Sequence, residues 1–124
     1  MATTLITGAN RGIGLELTRT FLAAGKRVIA GCCDPQAATA LAELASSAEL
    51  DIYKLDVADD SSVAEFCARV GADSVDVVIN NAGIMGGDKQ GMSNMDYAAW
   101  LHTFNVNTLG PFRLSTALLP NIKL

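Results

Sequence analysis

The sequence is poor in the residues that staple a chain, bind metals or grip polyanions. It has one histidine and three cysteines in 124 residues. Cys32 and Cys33 are adjacent and Cys67 is distant. That gives neither a disulfide framework nor a Cys-x-x-Cys metal pair, and points to a reducing cytoplasm. His102 has no cysteine, acid or second histidine at ligand spacing, so no metal site is expected and the residue reads as part of a helix surface. Nine basic residues against thirteen acidic ones leave a net charge of −4 with no basic cluster. Nucleic acid and an anionic membrane are therefore not expected partners. No apolar run approaches membrane-spanning length, and no basic, cleavable leader is visible at the N-terminus.

What the chain does have is apolar residues, half of the total, in a length that allows one domain spanning 1–124. It also has a glycine-rich stretch at the start, Thr3-Thr-Leu-Ile-Thr-Gly-Ala-Asn-Arg-Gly-Ile-Gly14. Thr4 to Thr7 are β-branched or apolar, as a buried strand requires. Glycines follow at 8, 12 and 14, and Leu15 to Leu22 reads as a helix. A strand that turns through glycines into a helix N-terminus is a phosphate cradle, because the first helical turn leaves N–H groups unpaired and the macrodipole favours an anion there. The spacing Gly-x-x-x-Gly-x-Gly differs from the common Gly-x-Gly-x-x-Gly fingerprint and lacks the Lys-Ser or Lys-Thr of a P-loop.

Further along, strands and helices alternate. The first helix is expected from about Gly12 to Ala24, with Ile13, Leu17, Phe21 and Leu22 on its apolar face and Gly25 as its stop. Arg27 to Gly31 is the second strand. Asp34-Pro35 is expected to open a second helix to about Ser46, with the aspartate as N-cap. Leu50 to Leu55 is the third strand. Asp59-Asp60-Ser61-Ser62 caps a helix from about Ser62 to Val70 and reads as capping rather than a metal site. Ser74 to Ile79 is the fourth strand, 84–95 is irregular, and a long helix runs from about Asp96 towards Leu119. On it Tyr97, Leu101, Phe104 and Thr108 have ordinary core spacing. This order implies a parallel sheet with right-handed crossovers, and ligands bind such sheets beyond the carboxyl ends of the strands. Three polar or glycine-rich turns lie at that edge: Gly8–Gly14, Asp56-Val57 and Asn80–Gly83.

With those turns in place the chain resembles the short-chain dehydrogenase/reductase family. Thr7-Gly8-Ala9-Asn10-Arg11-Gly12-Ile13-Gly14 is similar to its Thr-Gly-x-x-x-Gly-x-Gly, and Asn80-Asn81-Ala82-Gly83 to its Asn-Asn-Ala-Gly. Asp56 matches the aspartate that contacts the adenine ring, with Val57 beside it, and Asn107-Thr108-Leu109-Gly110 matches the asparagine motif of the family's fifth helix. Asp96-Tyr97 and the run from Thr103 to Pro120 look most like the subgroup of C-factor-type proteins and sniffer-like carbonyl reductases. The resemblance implies an α/β, Rossmann-type doubly wound parallel sheet in strand order 3-2-1-4, truncated after that fifth helix. It implies a nicotinamide dinucleotide held by Thr7, Gly8, Asn10, Arg11, Gly12, Ile13, Gly14, Cys33, Asp56, Val57, Asn81, Ala82 and Gly83. Hydride would pass to or from a small carbonyl or alcohol substrate, with homo-oligomers in the intact protein and a face of the long helix buried between chains.

Of the family's Asn-Ser-Tyr-Lys tetrad the resemblance carries over only Asn107. The tyrosines are Tyr53 and Tyr97, and four residues after them stand Val57 and Leu101, so neither opens the family's Tyr-x-x-x-Lys. The 124 residues alone are thus expected to be inactive, and the alternative is a non-catalytic nucleotide-binding or signalling protein of C-factor type. Pro111 removes the N–H that would bond the Asn107 carbonyl, which either frees that carbonyl for a water of the family's proton relay or only kinks the helix. Members preferring NAD carry an acid at the end of the second strand, where Cys32 stands here. Members preferring NADP often carry an arginine at the next position, here Cys33. NADP is therefore expected over NAD, with Arg11 as the reader of the 2′-phosphate and Asp34 as the residue that would serve an NAD ribose.

Overall fold

Thr3 to Thr7 form the centre of the fold, a strand in which all five residues are buried. The computed structural model describes residues 1–46 and 48–122. In chain order the elements are β1 (Thr3–Thr7), α1 (Gly12–Ala23), β2 (Arg27–Cys32), a 3-10 turn (Pro35–Ala37), α2 (Thr39–Ala45), β3 (Leu50–Lys54), α3 (Asp60–Val70), β4 (Val77–Ile79), α4 (Tyr97–Phe104), a π-helical turn (Asn105–Leu109) and α5 (Gly110–Ala117). The strands are parallel and ordered β3-β2-β1-β4. Leu5 lies opposite Ile29 and Val78, and Ile6 opposite Ala30 and Ile79. This is the Rossmann-type order expected of the sequence.

Alternation along the strands builds one core on each face of the sheet. Leu5 and Ile29 face Val63, Phe66, Val70, Val106, Leu114 and Leu118 of α3, the π turn and the α5 region. Ile6, Val28 and Ala30 face the other way, onto Leu41 of α2 and Leu15, Leu17, Phe21 and Leu22 of α1. Each fully buried leucine or isoleucine contributes about 2 kcal/mol by leaving water. Buried hydroxyls are satisfied too: Thr18 Oγ1 donates to Gly14 O at 2.8 Å.

The helix ends show which caps form. Asp59 accepts from Ser61 N at 2.9 Å and Asp96 from Ala99 N at 3.0 Å, as N-caps do. Gly25 stops α1 with φ +78°. Asp34 makes no capping bond, and the expected second helix is divided: Pro35 opens a 3-10 turn and α2 begins only at Thr39. The fixed φ of proline suits the tight first turn, but Ala38 leaves the helical region (φ −88°, ψ 65°) and breaks the continuity.

Three other expectations are corrected. The fourth strand is Val77–Ile79 rather than Ser74–Ile79, because Val75 bridges to Ile122 instead. The long helix carries a π turn, in which Gly110 N–H donates to Asn105 O five residues back, and α5 ends at Ala117. The stripe Tyr97, Leu101, Phe104 and Thr108 is not core but exposed, and α4 buries none of its residues. The inward positions are Ala99, Thr103 and Val106, and they are small because the helix lies against a glycine-rich loop: a Cβ on Gly86 would stand 3.1 Å from Thr103 Oγ1.

Candidate functional site

Thr7 closes β1 and ties the glycine loop to the turn after β4. Its hydroxyl accepts from Asn81 N at 3.0 Å and from Ala82 N at 2.8 Å. In return Asn81 Nδ2 donates to Thr7 O at 3.2 Å and Gly8 O at 3.1 Å. The two turns are stitched side by side at the carboxyl edge of the sheet. Gly14 makes the approach feasible: a Cβ there would lie 2.2 Å from Gly8 O and 2.5 Å from Asn81 Nδ2. Gly12 is different. It has φ +56° and nothing within 4 Å of its absent Cβ, so it serves the backbone turn and leaves open space. Arg11 sits extended at the N-cap of α1 with no side-chain capping bond, and no acid occupies the first turn. The positive end of the helix dipole is therefore not offset by a side chain.

A cleft of about 630 Å³ opens over this edge. The glycine loop contributes Gly8, Asn10, Arg11, Gly12 and Ile13 to its wall, and the end of β2 with the bend after it contributes Cys32 and Cys33. Leu55, Asp56 and Val57 form a second side, and Asn81, Ala82, Gly83 and Ile84 a third. Of the residues expected to hold a cofactor, Thr7 and Gly14 do not line the cleft; they are buried behind it and hold its walls. Asn107 also stands outside the lining. Its amide clamps the backbone of Ile84, donating to Ile84 O at 2.7 Å and accepting from Ile84 N at 2.9 Å. Ile13, expected on the apolar face of α1, is instead 74% exposed at the cleft.

The second side is preorganised by its own turn. Asp56 Oδ1 accepts from Ala58 N at 3.0 Å, and Asp56 N donates to Ser62 Oγ at 2.8 Å. Burial, then the neighbouring Asp56 carboxylate, push the Cys33 thiol up, with Lys54 opposing. Burial also pushes Cys32 up, helped by Cys33 and Asp34. Both thiols stay protonated near neutral pH, so no negative charge from them meets a phosphate at this end. No group of three histidine, cysteine or acidic residues able to hold a metal occurs among the described residues, and no helix there is long and apolar enough to cross a membrane.

Sequence reasoning missed four lining residues, Leu55, Ile84, Val106 and His102. His102 is exposed, yet it joins Val106 in the cleft wall. The signal was available, since His102 and Val106 are four apart and share a helix face.

The chain has known counterparts. A sequence profile of the short chain dehydrogenase family matches residues 2–123. A short chain dehydrogenase of Aspergillus terreus, tazN, is 34% identical over 122 residues, covering 93% of this chain and 26% of the relative. Mouse retinol dehydrogenase 5 is 36% identical, covering 93% of this chain and 37% of its own length. Among solved structures, the NADPH-bound carbonyl reductase from chicken fatty liver superposes with a TM-score of 0.88 at 34% identity, over 98% of this chain and 48% of that one. A carbonyl reductase from Pseudomonas aeruginosa gives 0.90 at 31% identity, over 99% of this chain and 57% of that one. The chain thus spans between about a quarter and somewhat over half the length of these relatives.

Proposed function

The chain belongs to the short-chain dehydrogenase family, and we propose that it is the cofactor-binding portion of an NAD(P)-dependent oxidoreductase acting on a carbonyl or alcohol. The observation that carries this reading is the convergence of three separate turns on one cleft, with Thr7 and Asn81 joining two of them by four hydrogen bonds. The cleft fits a dinucleotide on its own evidence. Its volume lies within the range of ligand sites. The open space at Gly12 leaves room for a phosphate beside the uncapped helix N-terminus.

Within it, Gly8, Asn10, Gly12 and Ile13 would follow the pyrophosphate, Asp56 and Val57 the adenine, and Asn81, Ala82 and Gly83 the nicotinamide side. Arg11 and Cys33 flank the adenosine ribose end. Neither Cys32 nor Cys33 brings a carboxylate to this end and both thiols are protonated, so neither side chain repels a 2′-phosphate, which supports NADP over NAD. Several similar solved structures hold NADP or NADPH. When bound, the cofactor supplies or accepts a hydride. Asn107 sets the Ile84 wall, and we assign it the family's asparagine role. The 124 residues contain no Tyr-x-x-x-Lys, so this chain alone is expected to hold the dinucleotide without turnover. Its three cysteines are free, which supports a cytoplasmic setting, and the exposed stripe on α4 supports a homo-oligomer in the intact protein.

Calorimetric titration with NADPH and NADH tests the reading. Binding of NADPH tighter than NADH is expected. Tighter NADH binding would overturn the choice of cofactor, and binding of neither would overturn the function.

A further inference from the structure

Two polar side chains on the long helical rod of α4, the π turn and α5 do not line the cleft, yet they converge on the back of one of its walls. Arg113, on α5, donates from Nε to Asp60 Oδ1 at 2.6 Å, from Nη1 to the carbonyl of Val57, and from Nη2 to Asn105 Oδ1 at 2.8 Å. Asn105, at the start of the π turn, passes the contact on: its Nδ2 donates to Ala58 O at 3.1 Å. Both ends of the Asn105 amide are used, so its orientation is set. Between the two residues they occupy consecutive carbonyls of the turn after Asp56. The third contact is steric. Gly110 has helical φ, but a Cβ on it would lie 2.8 Å from Val57 Cγ2. Val57 is therefore located from behind by a guanidinium on its carbonyl and a bare glycine against its side chain.

The same rod reaches the opposite wall through Asn107 and Ile84. A guanidinium is suited to the first task because its planar fork serves three acceptors at once, which an ammonium on a flexible stem does not. Its side chain is only 21% exposed, so its bonds to Val57 and Asn105 are partly shielded from water, whereas the one to Asp60 is solvent-exposed.

We propose that Asn105 and Arg113 are a positioning pair for the Asp56-Val57 wall, setting affinity for the adenine half of the dinucleotide without touching it. This rests on the cofactor reading above. Loss of the fork leaves the Val57 carbonyl and Asn105 Oδ1 without their donor, and the turn is then free to relax away from the cleft.

The test is calorimetric titration of the full 124-residue chain with NADPH and with ADP-ribose, at a temperature where circular dichroism shows each variant folded. Arg113→Met is expected to weaken ADP-ribose about tenfold, and Arg113→Lys to recover only part of that loss. Asn105→Ala, a milder truncation, is expected to weaken it about threefold and carries the test should Arg113→Met not fold. Asn107→Ala, which loosens the opposite wall, is expected to leave ADP-ribose affinity within about twofold while weakening NADPH. Unchanged ADP-ribose affinity in folded Arg113→Met or Asn105→Ala overturns the inference, as does an equal loss in Asn107→Ala. Failure of the unmodified chain to bind either ligand overturns the cofactor reading itself, and this inference with it.

Discussion

β1, where three threonines flank Leu5 and Ile6, and the rod formed by α4, the π turn and α5, which is rich in apolar residues, fare in opposite ways. Every residue of β1 is buried, between strands on both sides and a helical layer on each face. On the rod Val106 and Leu114 are buried, as is Leu118 at its C-cap, while Tyr97, Trp100, Leu101, Phe104 and Phe112 lie exposed. Periodicity tells that a helix has an apolar face; it does not tell which apolar face meets a neighbour. β4 repeats the lesson, since it is paired only with β1 among the described residues and Val77 is 43% exposed.

Substitutions on the two sides of this divide should differ sharply. The largest effect is expected at Gly14→Ala, where the added methyl meets a carbonyl and an amide rather than a flexible chain end. A loss of at least about 3 kcal/mol by urea unfolding, together with loss of dinucleotide binding, is anticipated. At the C-cap of the rod, Leu118→Ala should cost about 3 kcal/mol because the residue is fully buried. Leu101→Ala, at 73% exposure, should stay within about 0.5 kcal/mol of the parent. Equal costs for these two leucines would mean that the Leu101 face is covered in solution. Thr7→Val keeps the shape of β1 and removes the acceptor of two N–H groups, so a loss of about 2 kcal/mol is expected by the same measurement. The smallest contrast is between two aspartates. Asp59→Ala should cost about 1 kcal/mol, whereas Asp34→Ala, which breaks no capping bond, should leave unfolding unchanged.

The alternation of strands and helices, the cap at Asp59 and the meeting of the three turns were legible because they depend on local chemistry: glycine spacing, a side-chain oxygen before a helix, apolar runs of strand length; the strand order came with the family resemblance. The division of the second helix at Ala38 was not, because Asp34-Pro35 is as compatible with a 3-10 turn as with an α-helix. The inward face of α4 was hidden for a different reason. It is made of Ala99 and Thr103, small residues that a search for large apolar ones passes over, and it is small because Gly86 and Gly87 lie against it. Asn105 and Arg113 carry no motif at all. Their role lies in contacts across 47 and 56 residues of chain, which no local pattern reports.

The π turn has one more consequence, in the angular phase of the rod. A uniform α-helix advances about 100° per residue, so Val106 and Leu114, eight positions apart, would point roughly 80° away from each other. A π turn takes up one additional residue. With that residue absorbed, the separation counts as about seven steps, and the two side chains return to within roughly 20° of a common direction. Both do enter the same core, with Leu118 one turn further on. The widened turn thus behaves as a silent insertion: the winding before it and the winding after it stay aligned, and the surplus is confined to the few positions that face the cleft walls.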